Sequence, residues 1–459
     1  MILSVHDYMQ SLRGKRCAVI GAGVSNLPLI GLLLDAGNAV TVCDKQPYEK
    51  LSESVRALSE RGVQWKLGEH YLENVDADVI FRTPGLHPMH LRAYANKGCQ
   101  ITSEMELFFR FCPCRTIAIT GSDGKTTTST VIAALLRAQG YTVHLGGNIG
   151  HPLLAEADDM KPEDFAVLEL SSFQLHSMEC VPDVALVTNI SPNHLDVHPD
   201  MADYVDAKTN IFRRQASAAK TVFNAKDGYT SELLSLAKAQ VKFFSRGDAV
   251  ENGAYSQDGI IYLVHDGQRE ELMRTDEIRI PGEHNVENFL AAFAAVDGLV
   301  EKDTMRSVAR SFSGVAHRIE FLRELRGVRY YNDSIASSPT RTIAGLRSFG
   351  EKPILIAGGY DKHIPYDVLG PEICQHVKKL YLGGATGAQI RSAVEKCPEY
   401  KPGYPEIEDY GNFDGAFYAA VRDAVEGDVV LMSPASAAFD QFKNFMVRGD
   451  HFKKLVKEL

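Results

Sequence analysis

Residues 117–128 read "IAITGSDGKTTT" and restrict the fold more than any other stretch. A β-branched apolar run breaks into a loop holding Gly121 and Gly124, and the chain resumes in "TTTSTVIAALLRAQG" with apolar residues at helical spacing. Strand, glycine loop and helix in that order open a βαβ unit, whose sheet is parallel and whose crossover is right-handed.

The same order recurs on both sides. Upstream, "RCAVIG", a helix from about Asn26 and "AVTVCD" make a first unit. Downstream, "TVHLGGNIG", "FAVLELSS" and "VALVTNIS" continue the central unit, while "VRYYNDS", "PILIAGG", "KKLYLGG" and "DVVLMSPAS" supply strands of a third. Short turn-bounded strands such as "SQDGIIYLVHDGQ" predict a small antiparallel patch between about 241 and 281, before "PGEHNVENFLAAFAAVDGL" returns to helix. A chain of 459 residues exceeds one hydrophobic core. Three α/β domains in series are expected, over residues 1–103, 104–314 and 315–459.

Composition narrows the partners. A formal charge of −10 argues against a nucleic-acid binder. No run approaches the roughly 20 apolar residues that span a bilayer, and "MILSVHDYMQSLRGKR" lacks the basic-then-apolar order of a signal peptide. The eight cysteines are scattered, and Cys112 with Cys114 in "FCPC" reads as a pair of reduced structural thiols. A cytoplasmic protein without membrane partners is expected.

In α/β sheets ligands sit beyond the carboxyl ends of the strands, so chemistry is sought there. The loop "GAGVSN", Gly21 to Asn26, follows a strand, and Asp44 ends the next one. A dinucleotide fingerprint wants a third glycine where Asn26 stands, which weakens an NAD reading. A helix N-terminus for a phosphate and an acid for a ribose or base are left, and another nucleotide diphosphate fits equally. The second loop, Gly121, Ser122, Asp123, Gly124, Lys125 and Thr126, carries more information. Its N–H groups suit a β-phosphate, Lys125 a γ-phosphate, and Thr126 or Thr127 a Mg²⁺ ion, although Ile119 occupies the first glycine of the strict P-loop pattern. Glu169 in "LELSSFQL" and His194 in "VTNISPNHLD" end neighbouring runs and are candidates to supply or position a hard cation. By itself, Lys208 in "YVDAKTNIF" reads as a solvated helix lysine.

The ordered set "TGSDGKT", "GGNIG", "ELSSFQL", "TNISPNHLD", "YVDAK", "GEHNVEN", "HRIE", "YYNDS", "GGYDK" and "SPASAAFDQFKNF" resembles the ATP-dependent Mur ligases of peptidoglycan synthesis. Within them it is most similar to the branch that adds D-glutamate to UDP-N-acetylmuramoyl-L-alanine. The resemblance implies a Rossmann-like N-terminal domain for the UDP-sugar. It further implies a central P-loop ATPase-like domain and a C-terminal Rossmann-like domain for the amino acid.

Position by position, the resemblance implies that Gly21, Ser25, Asn26, Asp44, Thr83, Pro84 and Gly85 hold the UDP end, with Asn148 and His194 facing the muramoyl part. ATP falls to the loop residues Gly121 through Thr127, to Asn285 and Asn288, and to Arg318 with Asp333. Thr126, Glu169, His194 and a carbamylated Lys208 are implied to serve magnesium, while Lys125, His194 and Lys208 are the implied catalytic set. His317 and Arg318 imply a hinge that closes over ATP.

Ser337, Arg341, Lys362 and Phe445 are implied to bind D-glutamate. Here the chain departs from the family pattern: Ile335 replaces a lysine, Ser337 a threonine and Ala438 a serine. Arg341 in "SSPTR" is the expected compensating cation. The implied reaction is ATP-driven amide formation through an acyl phosphate, by a monomer acting on small molecules. The proton acceptor stays open between His194, the carbamate and water. Two alternatives also stay open. One is a Mur or folylpolyglutamate-type ligase for another amino acid; the other is a non-catalytic nucleotide-binding homologue, against which Lys125, Glu169, His194 and Lys208 are all present.

Overall fold

The computed structural model describes Ser4–His194 and Val197–Leu459. The chain forms two compact units, one of residues up to Thr275 with Glu287–Val308, the other of Asp276–Val286 with Ala309–Leu459. Among the described residues no helix is long and apolar enough to cross a membrane.

The first unit contains two sheets. Strands β1 (Cys17–Ile20), β2 (Val40–Asp44), β3 (Gln64–Leu67), β4 (Val79–Phe81) and β5 (Gln100–Thr102) pair in parallel in the order β3-β2-β1-β4-β5. "CAVI" and "VIF" are buried along their whole lengths, as parallel strands covered on both faces must be. The order reverses between β1 and β4, which opens a crevice between the loop after β1 and the loop after β4.

The second sheet comprises β6 (Arg115–Thr120), β7 (Val143–Gly147), β8 (Phe165–Glu169), β9 (Val184–Val187), β10 (Lys220–Asn224), β11 (Gln240–Arg246), β12 (Gly253–Gln257), β13 (Ile260–His265) and β14 (Gln268–Arg274). They run in the order β14-β13-β12-β11-β10-β9-β6-β8-β7. The expected antiparallel patch is present as β12-β13-β14, but it is the edge of this sheet, because β12 also pairs in parallel with β11. One hydrophobic cluster runs through both sheets of the unit, from Leu29 and Phe108 to Leu154 and Leu168. The backbone N–H of Val5 also reaches Asp158 Oδ1 at 2.7 Å.

The second unit carries β15 (Glu320–Leu325), β16 (Val328–Asn332), β17 (Ile354–Ala357), β18 (Lys379–Leu382), β19 (Glu406–Asp409) and β20 (Val429–Met432), ordered β15-β16-β20-β17-β18-β19. All neighbours pair in parallel except β15 with β16. Two apolar clusters, one containing Leu355 and Leu431 and the other Ile356 and Val430, are built on alternating residues of these strands.

Candidate active site

The glycine loop sits where four strand ends meet, because the sheet order puts β6 between β8 and β9 with β7 beyond β8. Gly121 and Gly124 have φ of 144° and 78°. A Cβ on Gly121 would lie 1.9 Å from Thr188 Oγ1, and one on Gly124 2.4 Å from Asn288 Oδ1. Close approach and backbone angle therefore both demand glycine. The residues after β9 clamp the loop: Ser122 N–H donates to the Asn189 carbonyl at 2.9 Å, Asp123 N–H to Asn189 Oδ1 at 3.0 Å, and the Thr188 hydroxyl to the Asp123 carbonyl at 2.6 Å. Helix Lys125–Ala138 starts directly on this loop, with Thr126 and Thr127 in its first turn. Its leading N–H groups have no intrahelical acceptor and suit an anion. Asn288 packs on the loop through the Thr128 hydroxyl, which donates to its Oδ1 at 3.2 Å.

Beside the loop lies a corner that fits a cation. Glu169 ends β8 in register with Ile119 of β6 and is 2% exposed. Its Oε1 accepts from Asn148 Nδ2 at 3.0 Å, whereas the buried Oε2 has no hydrogen-bond partner among the described residues. A buried carboxylate oxygen lacking a donor is costly, and a hard divalent ion, which takes oxygen ligands, would satisfy it. Lys208 Nζ is buried here, donating to the Gly121 carbonyl at 2.8 Å and lying 4.5 Å from the Tyr204 ring centroid. Burial first, then the neighbouring Lys125 ammonium, hold the Lys208 amine well below the ordinary lysine range, against the opposing charges of Asp123 and Glu169. Lys125 Nζ donates to the carbonyls of Gly121 and Ser122, both at 2.8 Å. His194 has φ of 56°, and its ring lies 4.9 Å from that of Phe173.

A cleft of about 400 Å³ opens at the crevice of the first sheet, lined by Ser25, Thr83, Pro84 and Gly85 from that sheet's loops and by Asn148 from the loop after β7. These expected UDP-sugar residues are thus brought together. Gly21 faces Thr83, whose Cβ would stand 3.0 Å from a Cβ placed on it. Asp44 braces the loop, Oδ2 accepting from Ala22 N–H at 2.8 Å and Oδ1 from Gln46 N–H at 2.9 Å. Asn26 is 1% exposed, and its Nδ2 donates to the carbonyls of Ile20 and Gly21 at 2.9 and 3.0 Å. At the position of the missing third glycine, this side chain ties the turn to its strand.

In the second unit, Asp333 follows β16 and is buried; Ser433 Oγ donates to its Oδ2 at 2.7 Å and Ile319 N–H to Oδ1 at 3.3 Å. Burial pushes its carboxyl up to about 7, opposed by those hydrogen bonds and by the charges of Arg318 and Arg341. Arg318, Asp333 and Arg341 therefore share one neighbourhood. Arg341 Nη1 donates to the Ile335 carbonyl at 3.2 Å, beside Ser337, whose N–H donates to the same carbonyl at 2.8 Å. The Phe445 carbonyl accepts from Ser334 Oγ at 2.7 Å. Lys362 lies 6.0 Å from the Phe439 ring, which is edge-on to Tyr360. Asn285, also of this unit, is 6% exposed, with Nδ2 donating to the Pro281 carbonyl at 2.5 Å.

Comparison with known proteins identifies the whole. Residues 119–296 match the Mur ligase middle domain, and residues 317–436 match the Mur ligase glutamate ligase domain. The UDP-N-acetylmuramoylalanine–D-glutamate ligase of Acetivibrio thermocellus is 48% identical over 100% of both chains. That of Clostridium novyi is 46% identical over 99% of each. The chain belongs to the Mur ligase family. The fold agrees: UDP-N-acetylmuramate-alanine ligase of Thermotoga maritima superposes with a TM-score of 0.57 at 18% identity, covering 97% of this chain and 99% of that one. The MurF ligase of Thermotoga maritima, solved in complex with ADP, gives 0.52 at 18% identity over 98% and 97%.

The Mur ligase site also contains residues that sequence reading missed. Arg82 is 1% exposed and donates to the carbonyls of Leu86 and Phe173 at 2.9 and 3.1 Å and to Ser177 Oγ at 3.1 Å, fastening the Thr83–Gly85 loop to the helix that begins at Ser172. A charged residue directly before "TPG", at the end of an apolar run, was the available signal. Asn189 and Tyr204 lie inside motifs shared with the family; Tyr204 OH meets Ser122 Oγ at 2.9 Å.

Proposed function

We propose that this Mur ligase joins D-glutamate to the L-alanyl carboxylate of UDP-N-acetylmuramoyl-L-alanine, cleaving ATP to ADP and phosphate, as a step in making peptidoglycan precursors. One observation carries the reading: Asn148 lines the sugar-nucleotide cleft and also holds Glu169 at 3.0 Å beside the phosphate loop. A carboxylate carried by a ligand in that cleft thus lies next to the place where a γ-phosphate belongs. The named activity of the full-length relatives supports the D-glutamate acceptor. ADP in a structure of the same fold supports ATP as the energy source, and ATP-dependent work on a nucleotide sugar fits the cytoplasm.

The chemistry follows from the need for activation, since a carboxylate and an ammonium do not condense in water. The alanyl carboxylate oxygen attacks the γ-phosphorus, the bond to the ADP oxygen breaks, and an acyl phosphate results. The D-glutamate amine then attacks the acyl carbon, phosphate leaves and the amine loses a proton. Loop N–H groups hold the phosphates, and Lys125 is the cation that swings from its two carbonyls onto the transferred group. Thr126, Glu169, His194 and a carbamylated Lys208 are the residues to hold Mg²⁺, which when bound neutralises phosphate charge. The partnerless Glu169 Oε2 supports that assignment. The depressed Lys208 pKa supports carbamylation, because only the neutral amine adds CO₂, giving N–COO⁻ and a released proton. Arg318, Asp333, Ser337, Arg341, Lys362 and Phe445 are assigned to the nucleotide and D-glutamate, with Arg341 replacing the lysine absent at Ile335.

The test is phosphate release from ATP and Mg²⁺ with UDP-N-acetylmuramoyl-L-alanine against a panel of D- and L-amino acids. Release that depends on D-glutamate is expected. Release with another amino acid would overturn the specificity, and no release with any acceptor would overturn the ligase.

A further inference from the structure

Three side chains outside the proposed catalytic set gather where the loop after β4 meets two helices of the same unit. His87 follows the Thr83–Gly85 loop, His176 caps the C-terminus of helix Ser172–Leu175, and Asp203 lies in the first turn of helix Met201–Thr209. One donor atom from each falls within 4.8 Å of the others. His176 Nε2 is 2.9 Å from Asp203 Oδ1, and His87 Nε2 is 3.7 Å from Asp203 Oδ2. The second distance is too long for a hydrogen bond, and among the described residues the buried His87 Nε2 has no hydrogen-bond partner. Ligands at ~2.0–2.1 Å from a tetrahedral ion stand about 3.4 Å apart, between the two spacings observed.

A further pair of residues holds the carboxylate. His198 Nδ1 donates to Asp203 Oδ2 at 2.6 Å, and its Nε2 meets Ser172 Oγ at 2.9 Å. Ser172, His198 and Asp203 are ordered like a hydrolytic triad, yet Ser172 is 2% and His198 1% exposed, so no substrate carbonyl reaches the serine. What the chain of hydrogen bonds does is fix the Asp203 carboxylate, as outer groups fix metal ligands.

We propose that His87, His176 and Asp203 form a binding site for a borderline divalent transition ion such as Zn²⁺, separate from the phosphate-site cation. A donor set with two imidazole nitrogens to one carboxylate oxygen suits such an ion better than Mg²⁺, whose sites are built mainly of oxygen. Their side chains are 12%, 17% and 27% exposed, leaving the ion an entry path and a position for water. Coordination through His87 Nε2 moves the ring proton to Nδ1. That gives up the 3.2 Å contact from Met89 N–H, which water replaces because Met89 is 60% exposed. The bound ion staples the loop carrying Thr83, Pro84 and Gly85 to the helices behind it.

The experiment is Zn²⁺ titration of chelator-stripped protein against a chromophoric competitor, with Mg²⁺ kept in large excess, on the wild type and on His87→Ala, His176→Asn and Ser172→Ala. One Zn²⁺ per chain is expected in the wild type. Each ligand variant should bind at least about tenfold more weakly, and Ser172→Ala, acting through His198, roughly tenfold more weakly. Co²⁺ in place of Zn²⁺ should give the intense visible absorption of a low-coordinate site in the wild type, and at higher Co²⁺ in Ser172→Ala, but not in His87→Ala or His176→Asn. Thermal melting of each variant checks that it folds. No uptake by the wild type, or equal uptake by His87→Ala and His176→Asn, would overturn the proposal.

Discussion

Lys125 and Lys208 converge on one acceptor: each Nζ lies 2.8 Å from the Gly121 carbonyl oxygen. Burial first, and then repulsion from the Lys125 ammonium on the same carbonyl, hold the Lys208 amine well below the ordinary lysine range. A neutral amine is the form that adds CO₂, and on the proposed carbamylation the corner would change from cationic to anionic. Lys208→Ala should lower kcat by about 10²-fold or more. Short carboxylates should restore part of the rate, and depletion of CO₂ should slow the wild type reversibly. An alanine variant as active as the wild type would remove Lys208 from the mechanism.

Arg341 is exposed, and its guanidinium sits on the Ile335 carbonyl at 3.2 Å. If it supplies the charge that a lysine at position 335 would have supplied, Arg341→Ala removes one charge-assisted contact, on the order of 1.5–3 kcal/mol. Steady-state kinetics should then show the KM for D-glutamate raised by about tenfold or more while the KM for ATP stays close to wild type. Equal effects on both would place Arg341 on the nucleotide through Asp333.

The phosphate loop was legible in the sequence because its chemistry is local: strand, two glycines, lysine and helix are contiguous, and the structure puts them in that order. Glu169 was legible as a strand-end carboxylate near the loop, but Lys208 only through an ordered family pattern, since its meeting with the loop is made by the folded chain. The hairpin turns of 241–281 announced antiparallel strands, but not that β11 and β12 pair in parallel and make them one sheet edge. Asn26 looked like a defect in a glycine motif because its two carbonyl partners are set by the folded turn. Arg82, His87 and His176 were invisible for the same reason: Phe173 and Ser177 for the arginine, and Asp203 for the two histidines, lie tens of residues away.

Arg82 feels the Glu106 carboxylate only through space, and its guanidinium donates to main-chain carbonyls and Ser177. Arg82→Met keeps the apolar stem but leaves buried carbonyls without donors, a cost on the order of 3 kcal/mol. The loop it fastens bears Thr83, Pro84 and Gly85, so the KM for the UDP-sugar should rise more than that for ATP. Thermal melting should fall together with it. A lowered melting temperature with unchanged UDP-sugar KM would restrict Arg82 to stability.

Glu104 offers a test of pH dependence away from the reacting groups. Its Oε1 accepts from Leu154 N–H at 3.1 Å, and burial pushes its carboxyl from 4.5 up to about 7. The folded state therefore holds a proton that the unfolded chain releases near pH 4.5, so the folded state's advantage is complete below that value and is lost as pH rises to about 7. The loss is on the order of 3 kcal/mol at most, because a tenfold change in proton affinity is worth ~1.4 kcal/mol. Glu104→Gln keeps an acceptor for Leu154 and carries no charge, so it should match the wild type near pH 4.5 and exceed it at about pH 8. Urea denaturation at the two pH values reads the difference directly, and an equal stability gap at both would mean that Glu104 is ionised in the folded protein throughout.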